Sequence, residues 1–233
     1  RPPNPAKSTI KYKGNISTTQ DGGNCYSVAW NSQSLYIGAK TSLISHNTVT
    51  GKNTVTKVQE GNSLFCVRAF GNDDLAALLS LTAKDALVGM RNVRISAVNS
   101  LFNKNSLVCA YRQENINLAH IAISDTRIVA CNTAMGNLTV YDSNGDELFT
   151  LGSGKLQRPW GVILLGDYSV LVTDTDTGML YKYKLEAGAK PMWVCQNLQS
   201  PTGICVDADE NIYVASNAGR RIYLVSPEGE YGT

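Results

Sequence analysis

The sequence predicts an all-β protein made of repeated four-stranded units. Short apolar segments alternate with Gly-, Asn- and Asp-rich turns, the pattern recurs about every 40 residues, and no helical periodicity is sustained. Apolar anchors at equivalent points of the units are 39, 54, 41 and 42 residues apart, at Val28, Val67, Ile121, Val162 and Ile204. The long second step holds about a dozen extra residues, which the pattern places around 95–106.

Each unit predicts four strands in the same order. The fourth unit shows it most clearly, with apolar segments "GVILL", "VLVTD", "MLYKYKL" and "MWVCQ" separated by turn formers. A single four-stranded sheet leaves an apolar face uncovered, so such units need neighbours. A period near 40 with four strands therefore predicts a β-propeller with one blade per unit. We expect the first strand of each blade to be apolar on both sides, because two neighbouring blades cover it.

The repeats predict a single propeller domain over residues 9–233, after a Pro-rich linker or tail at residues 1–8. Five blades are visible, starting near residues 25, 65, 119, 160 and 202, and a sixth would follow if the chain is truncated by one repeat. The last unit supplies only three strands. The strand-like segment "STIKYKGNIST" belongs to no blade, so we expect this N-terminal strand to complete the last sheet and close the ring.

Composition and cysteine usage restrict the protein class. A formal net charge of +2 gives no overall preference for nucleic acid, and no run of about 18 apolar residues predicts a membrane span. The six cysteines form no CxxC pair, and most lie in apolar segments, which favours reduced core thiols and a cytoplasmic protein. Disulfide bonds in a secreted domain stay open as the alternative.

The segment "DENIYVASNAGRRIYLVSPEGEY" resembles the NHL repeat. The matching residues are Tyr213, Val214, Asn217, Arg221, Ile222 and Pro227 to Glu230, and the fourth unit matches through Val172, Asp174, Gly178 and Tyr181. The resemblance extends over about residues 25–233 and is strongest in the last two units. Four of the five units lack an Asp at the position of Asp174, and NHL propellers usually have six blades.

The resemblance implies a recognition module. NHL propellers stand at the C-terminal end of tripartite-motif (TRIM) ubiquitin ligases, where they bind target proteins or single-stranded RNA. We therefore predict a non-catalytic platform, without cofactor, that recruits a protein partner as the substrate-recognition propeller of a TRIM-like ligase. RNA binding is the alternative, and an extracellular receptor module is a further one. The RING and B-box modules that a ligase needs are absent from this chain. A lactonase-like enzyme is less favoured, because no carboxylate precedes any first strand.

In a propeller, the residues before each first strand and the loops between second and third strands meet at the mouth of the central channel. Here they predict a binding rim of Tyr26, Lys40, Phe65, Lys84, His120, Arg158, Trp160 and Arg220. Such aromatic and cationic residues suit the anchoring of a peptide or the stacking of bases. The alternative is that the aromatics pack between blades and the cations are solvated. Asp174 and Asp176 lack the further oxygen ligands of a Ca²⁺ loop, so no metal is predicted.

Overall fold

The computed structural model describes residues 25–30, 34–39, 42–57, 62–70, 74–81, 84–89, 109–112, 118–124, 126–142, 146–166 and 168–231. Every named element in this part of the chain is a β-strand. No helix long and apolar enough to cross a membrane occurs among these residues. The strands form four four-stranded sheets and one three-stranded sheet.

The first sheet consists of β1 (Cys25–Trp30), β2 (Ser34–Ala39), β3 (Ser42–Asn47) and β4 (Asn53–Lys57). The second consists of β5 (Asn62–Phe70), β6 (Asp74–Leu81), β7 (Lys84–Gly89) and β8 (Cys109–Arg112). The third consists of β9 (Leu118–Ile123), β10 (Arg127–Asn132), β11 (Asn137–Asp142) and β12 (Glu147–Leu151). The fourth consists of β13 (Pro159–Leu164), β14 (Ser169–Asp174), β15 (Met179–Lys184) and β16 (Pro191–Cys195). The fifth consists of β17 (Pro201–Val206), β18 (Ile212–Ser216) and β19 (Arg221–Val225).

Consecutive strands are neighbours in every sheet, so each sheet is an up-and-down meander that matches one sequence repeat. The predicted fold class, a β-propeller with five visible repeats, is confirmed. The fifth sheet has three strands, and among the described residues the outer side of β19 makes only one bridge, Val225 to Tyr231. The N-terminal strand expected to complete it and the insertion around residues 95–106 lie outside the described residues.

The chain divides into two compact units. One holds the first two sheets and β9, and the other holds the fourth and fifth sheets, while β10, β11 and β12 contribute to both. In the second of these units the fourth and fifth sheets share one apolar cluster, formed by Leu171, Leu180, Cys195, Leu198, Ile212, Val214 and Val225. All six residues of β14 are buried, because both faces of this strand are covered.

The expectation that first strands are buried on both sides is wrong for β1. Val67, Ile121 and Val162 are buried as predicted, whereas Val28 is 56% exposed and Trp30 is 58% exposed. Buried Ser27 and Ala29 alternate with them along β1, so only one face of this strand is covered. Within its own unit, β1 packs against one neighbouring first strand, β5. In β17, which packs on β13, Ile204 is partly buried and Cys205 is exposed.

Among the described cysteine side chains, those of Cys66, Cys195 and Cys205 are free thiols. Cys66, Cys131 and Cys195 are buried, in agreement with the predicted core thiols, and Cys205 is exposed. Burial raises the pKa of the Cys195 thiol to about 11. Although the Cys205 side chain is exposed, partial desolvation of its thiol, and then the neighbouring Asp207 carboxylate, raises the pKa of Cys205. The Cys195 and Cys205 thiols are therefore protonated at neutral pH.

Candidate functional site

A β-bulge interrupts the first strand of four sheets near its beginning. The pairing register shifts between Cys25 and Ser27, Leu64 and Cys66, Pro159 and Val162, and Pro201 and Ile204. A bulge leaves its extra residue unpaired and changes the direction of the neighbouring side chains. The predicted rim positions Tyr26, Phe65 and Trp160 lie inside these irregular stretches. The repeat therefore places a backbone irregularity where the sequence predicts a site.

The buried carboxylate of Asp174 organises this edge of the fourth sheet. Its Oδ2 accepts a hydrogen bond from the Gln157 N–H at 2.7 Å, and its Oδ1 accepts one from the Arg158 N–H at 3.0 Å. Longer bonds of 3.3 and 3.4 Å come from the N–H groups of Asp176 and Thr177. Hydrogen bonds to a carboxylate are stronger than neutral ones. Asp174 therefore fixes the segment before β13 against the loop after β14.

Arg158 and Trp160 form a stacked pair at this edge. The guanidinium carbon of Arg158 lies 5.5 Å from the centroid of the Trp160 ring, and Nη1 lies 3.7 Å from Oδ1 of Asp176. The side chains of Arg158 and Asp176 are 51% and 50% exposed, and Trp160 is partly buried. Exposed cation–π and ion pairs each contribute at most about 1 kcal/mol. These contacts orient the side chains and leave them accessible to a partner.

Two threonine hydroxyl groups at this edge of the fourth sheet form hydrogen bonds to the backbone of the fifth sheet. Thr175 Oγ1 donates to the Pro201 carbonyl at 2.9 Å, and Thr173 Oγ1 donates to the Thr202 carbonyl at 2.7 Å. Gly161 makes the close approach possible, since a Cβ on Gly161 would lie 2.2 Å from the Thr202 oxygen. The two sheets therefore present their loops from one tightly connected edge.

Other polar side chains occupy the position of Asp174 in neighbouring sheets. Ser216 pairs with Pro201 as Asp174 pairs with Pro159. Its hydroxyl donates to the Gln199 carbonyl and accepts the Gly219 N–H at 2.9 Å. In the third sheet, Asn132 Oδ1 accepts the Met135 N–H at 3.1 Å. At the position of Asp174, these two sheets therefore carry neutral side chains that hold fewer loop N–H groups.

Arg220 ends the loop between β18 and β19 in a left-handed conformation. Its φ is +48°, and the corresponding position in the fourth sheet is Gly178, with φ of +67°. A left-handed backbone costs a residue other than glycine about 1–2 kcal/mol. The Arg220 side chain is exposed. Strain at an exposed cation is typical of a functional position.

The remaining predicted rim residues are only partly described. Lys84 begins β7, and Tyr26 and Phe65 belong to β1 and β5, but their side chains lie outside the described part of the structure. Lys40 lies outside the described residues altogether. Of the eight predicted residues, the structure places Arg158 and Trp160 in direct contact.

His120 belongs to a different cluster, in the unit that holds the first two sheets. Nη2 of Arg68 donates a 3.0 Å hydrogen bond to Nδ1 of His120, and Nη1 contacts the Ser27 hydroxyl at 3.4 Å and the Val67 carbonyl at 3.1 Å. The Ser27 hydroxyl also accepts the Val67 N–H at 3.0 Å. Sequence reasoning missed Arg68, although a cation inside the apolar run "FCVRAF" was the available signal.

The environment keeps His120 neutral at physiological pH. Burial, followed by the charge of Arg68, lowers the pKa of His120 to about 3. Neutral imidazole with Nδ1 unprotonated is also the form that accepts the Arg68 hydrogen bond. This cluster therefore carries one positive charge, on Arg68, at neutral pH.

In the described part of the chain, no three His, Cys, Asp or Glu side chains come together as metal ligands. Both oxygens of Asp174 accept backbone N–H groups, and Asp176 faces Arg158. The two aspartates of "VTDTDTGM" thus each have a partner within the protein.

No family model matches this sequence, and no curated protein matches it. Solved structures do match. A chain of the nidogen/laminin complex aligns with a TM-score of 0.71 and 11% identity, over 91% of this chain and 79% of its own. A protein of unknown function from Bacteroides caccae gives 0.67 and 12%, over 91% and 81%. Virginiamycin B lyase from Staphylococcus aureus gives 0.62 and 11%, over 92% and 85%. At such low identities the likeness shows the fold alone, and that fold is the β-propeller.

Proposed function

We propose that this protein is a non-catalytic binding platform that recruits a protein partner. The binding site is the Arg158 surface, which we define as Arg158, Trp160 and Asp176. One observation carries the proposal: an accessible arginine is stacked on a tryptophan, and a buried carboxylate fixes the backbone beneath them. Trp and Arg are the residues that most often dominate protein interfaces. Because Asp174 already orders the segment, little conformational entropy is lost on binding.

The charge of the surface favours protein over RNA. Asp176 lies 3.7 Å from Arg158, so the guanidinium charge is partly balanced before any ligand arrives. The guanidinium also lies over the Trp160 ring, where a base would have to stack. A backbone of phosphates would meet the Asp176 carboxylate, whereas a mixed polar and apolar peptide would match all three side chains.

Two features support a binding role without catalysis. Both oxygens of the buried Asp174 carboxylate accept backbone N–H groups, so the carboxylate is turned toward its own backbone and away from a substrate. Among the described residues, His46 contacts Asn53 and His120 contacts Arg68, and neither of these partners is a nucleophile or an acid. The fold itself does not decide, because the propellers that it resembles include a lyase as well as a chain of the nidogen/laminin complex.

Within this platform role, we propose the substrate-recognition propeller of a TRIM-like ubiquitin ligase in a reducing, cytoplasmic setting. The NHL-like residues of the last two units support the TRIM-like assignment. Asp174, one of these residues, binds the backbone N–H groups of the segment before β13. The buried free thiols of Cys66 and Cys195 support the reducing, cytoplasmic setting. Reconstitution with separately supplied RING and B-box modules, followed by an ubiquitination assay, tests the ligase assignment.

A displayed library of random peptides tests the platform itself. The whole chain is immobilised and used to select peptides that bind it. Each selected peptide is then tested on the Arg158→Glu and Trp160→Ala chains, to find those that no longer bind. Lys184→Glu and Tyr168→Ala are matched controls, because both residues are exposed and lie at the other end of the fourth sheet: Lys184 ends β15, and Tyr168 lies just before β14. A random single-stranded RNA pool is assayed in parallel at two salt concentrations. Peptides that need Arg158 support the proposal; binding of RNA alone contradicts it.

A further inference from the structure

We propose that Arg68, together with Ser27 and His120, forms a binding site for a carboxylate. The site is distinct from the Arg158 surface, and its residues come from three different first strands, β1, β5 and β9. The sheets that carry these strands are neighbours, since β1 packs against β5 and β5 packs against β9. Their first strands therefore bring one cation and two polar groups to a single place.

The guanidinium has donors to spare. An arginine has five N–H groups, and Arg68 uses two on Nη1 and one on Nη2 for its contacts with Ser27, Val67 and His120. Within the described residues, Nε–H and one hydrogen of Nη2 have no partner. These two nitrogens form the edge of the guanidinium that binds a carboxylate with two parallel hydrogen bonds.

Arg68 lacks a counter-ion within the described residues. The ion pairs of that part of the chain join Arg158 to Asp176 and Lys184 to Glu186. Arg68 is partly buried and its neighbours are a hydroxyl, a carbonyl and a neutral imidazole. A partly desolvated cation held only by neutral dipoles is stabilised further by an anion. Arg68 and His120 both keep some exposure, so a small ligand has access.

Charge matching favours a carboxylate over a phosphate. The site carries the single charge of Arg68 while His120 is neutral. A carboxylate brings one negative charge, and a phosphate monoester brings about 1.5 to 2 at neutral pH. The carboxylate belongs either to a small organic acid or to the C-terminus of a peptide, and both offer the same two oxygens.

Histidine NMR of the full chain tests this site directly. The chain has two histidines, so His120 reports on the site and His46 is an internal control. Acetate, inorganic phosphate, a short peptide with a free C-terminus and its amidated form are titrated separately at pH 7. We expect acetate and the free peptide to shift the His120 ring signals with saturation at millimolar concentration, and His46 to stay unchanged. If the free peptide binds more tightly than acetate, the natural ligand is the C-terminal carboxylate of a peptide. If the two bind equally, the ligand is a small organic acid.

Substitutions at Arg68 separate binding from folding. Arg68→Lys keeps the charge but loses the planar pair of donors, so we expect affinity to fall about tenfold while the His46 signals stay native. Arg68→Met, checked for native His46 signals, should abolish saturation. The proposal is overturned if His120 does not respond to any carboxylate, if it responds to phosphate alone, or if the Arg68→Lys chain binds acetate as the unchanged chain does.

Discussion

The side chains of Arg158 and Trp160 are stacked, with 5.5 Å between the guanidinium carbon and the centroid of the indole ring. Arg158 lies just before β13, and Trp160 lies within the irregular stretch at the start of that strand. The Arg158 N–H is bound by buried Asp174, and the Arg158 carbonyl accepts the Thr175 N–H at 3.0 Å. The pair is therefore presented on a rigid support.

Asp174→Asn is expected to destabilise the chain by about 2–3 kcal/mol. The asparagine amide keeps only one acceptor oxygen. Its NH₂ group would face a backbone N–H that a carboxylate oxygen binds in the unchanged chain, so one buried donor would lose its acceptor. Urea unfolding measures the change. Asp176→Asn removes a charge from a half-exposed position nearby and should cost no more than about 0.5 kcal/mol. Equal effects of the two substitutions would show that Asp174 does not organise this edge.

Arg220→Gly is expected to stabilise the chain by about 1 kcal/mol, because glycine adopts a φ of +48° without strain. Thermal unfolding of the two chains measures the gain. If Arg220 also contacts the partner, the same substitution weakens binding while stability rises. Gly178→Ala, at the corresponding position of the fourth sheet, provides the converse control. There the added Cβ would lie 2.6 Å from the Leu198 carbonyl oxygen, and stability should fall.

Stability is expected to decline in acid because of His120. Its pKa is about 3 in the folded chain and 6.5 in the unfolded chain, so the unfolded state takes up the proton first as the pH falls. This contribution is complete above pH 6.5 and is lost between pH 6.5 and 3. The loss reaches up to about 1.4 kcal/mol per pH unit. Unfolding free energies measured across this range should depend less on pH in His120→Gln, and His46→Gln serves as the control. A slope that His120→Gln leaves unchanged would contradict this origin.

Thiol modification is expected to begin at Cys205 among the described cysteines. Cys205 is exposed, whereas Cys66, Cys131 and Cys195 are buried. Because the pKa of Cys205 is raised, its alkylation should be slow at pH 7 and faster at pH 9. Mass spectrometry of the native chain after iodoacetamide treatment identifies the sites. Early modification of Cys195, the thiol with a pKa of about 11, would show that the core of the last two sheets opens.

The sequence was sufficient for the repeat and for the neighbouring positions of Arg158 and Trp160. The spacing of apolar anchors and turn residues predicts each sheet because every blade needs the same short strands. Arg158 and Trp160 were predictable because they stand just before an anchor, Val162, where loops converge. The fully buried Asp174 was visible through its resemblance to the NHL pattern, and the structure supplies its chemical role.

The rest depends on contacts between distant residues. His120 was predicted as a rim residue, yet its partner Arg68 lies 52 positions away and no local pattern joins them. The exposure of Val28 depends on which faces of the first sheet are covered, and an apolar segment does not specify that. The bulges could not be predicted from the alternation of apolar and polar residues either. Each bulge adds one residue and so shifts the register of all the strand residues that follow it.

The most direct measurement is the affinity of a selected peptide for the whole chain and its variants, by isothermal titration calorimetry. If the Arg158 surface is the binding site, Arg158→Glu and Trp160→Ala each weaken binding at least tenfold, about 1.4 kcal/mol, while Lys184→Glu and Tyr168→Ala leave it unchanged. Thermal unfolding first checks that all five chains are folded. Equal peptide affinity for all five would then contradict the assignment of this surface as the site of recognition.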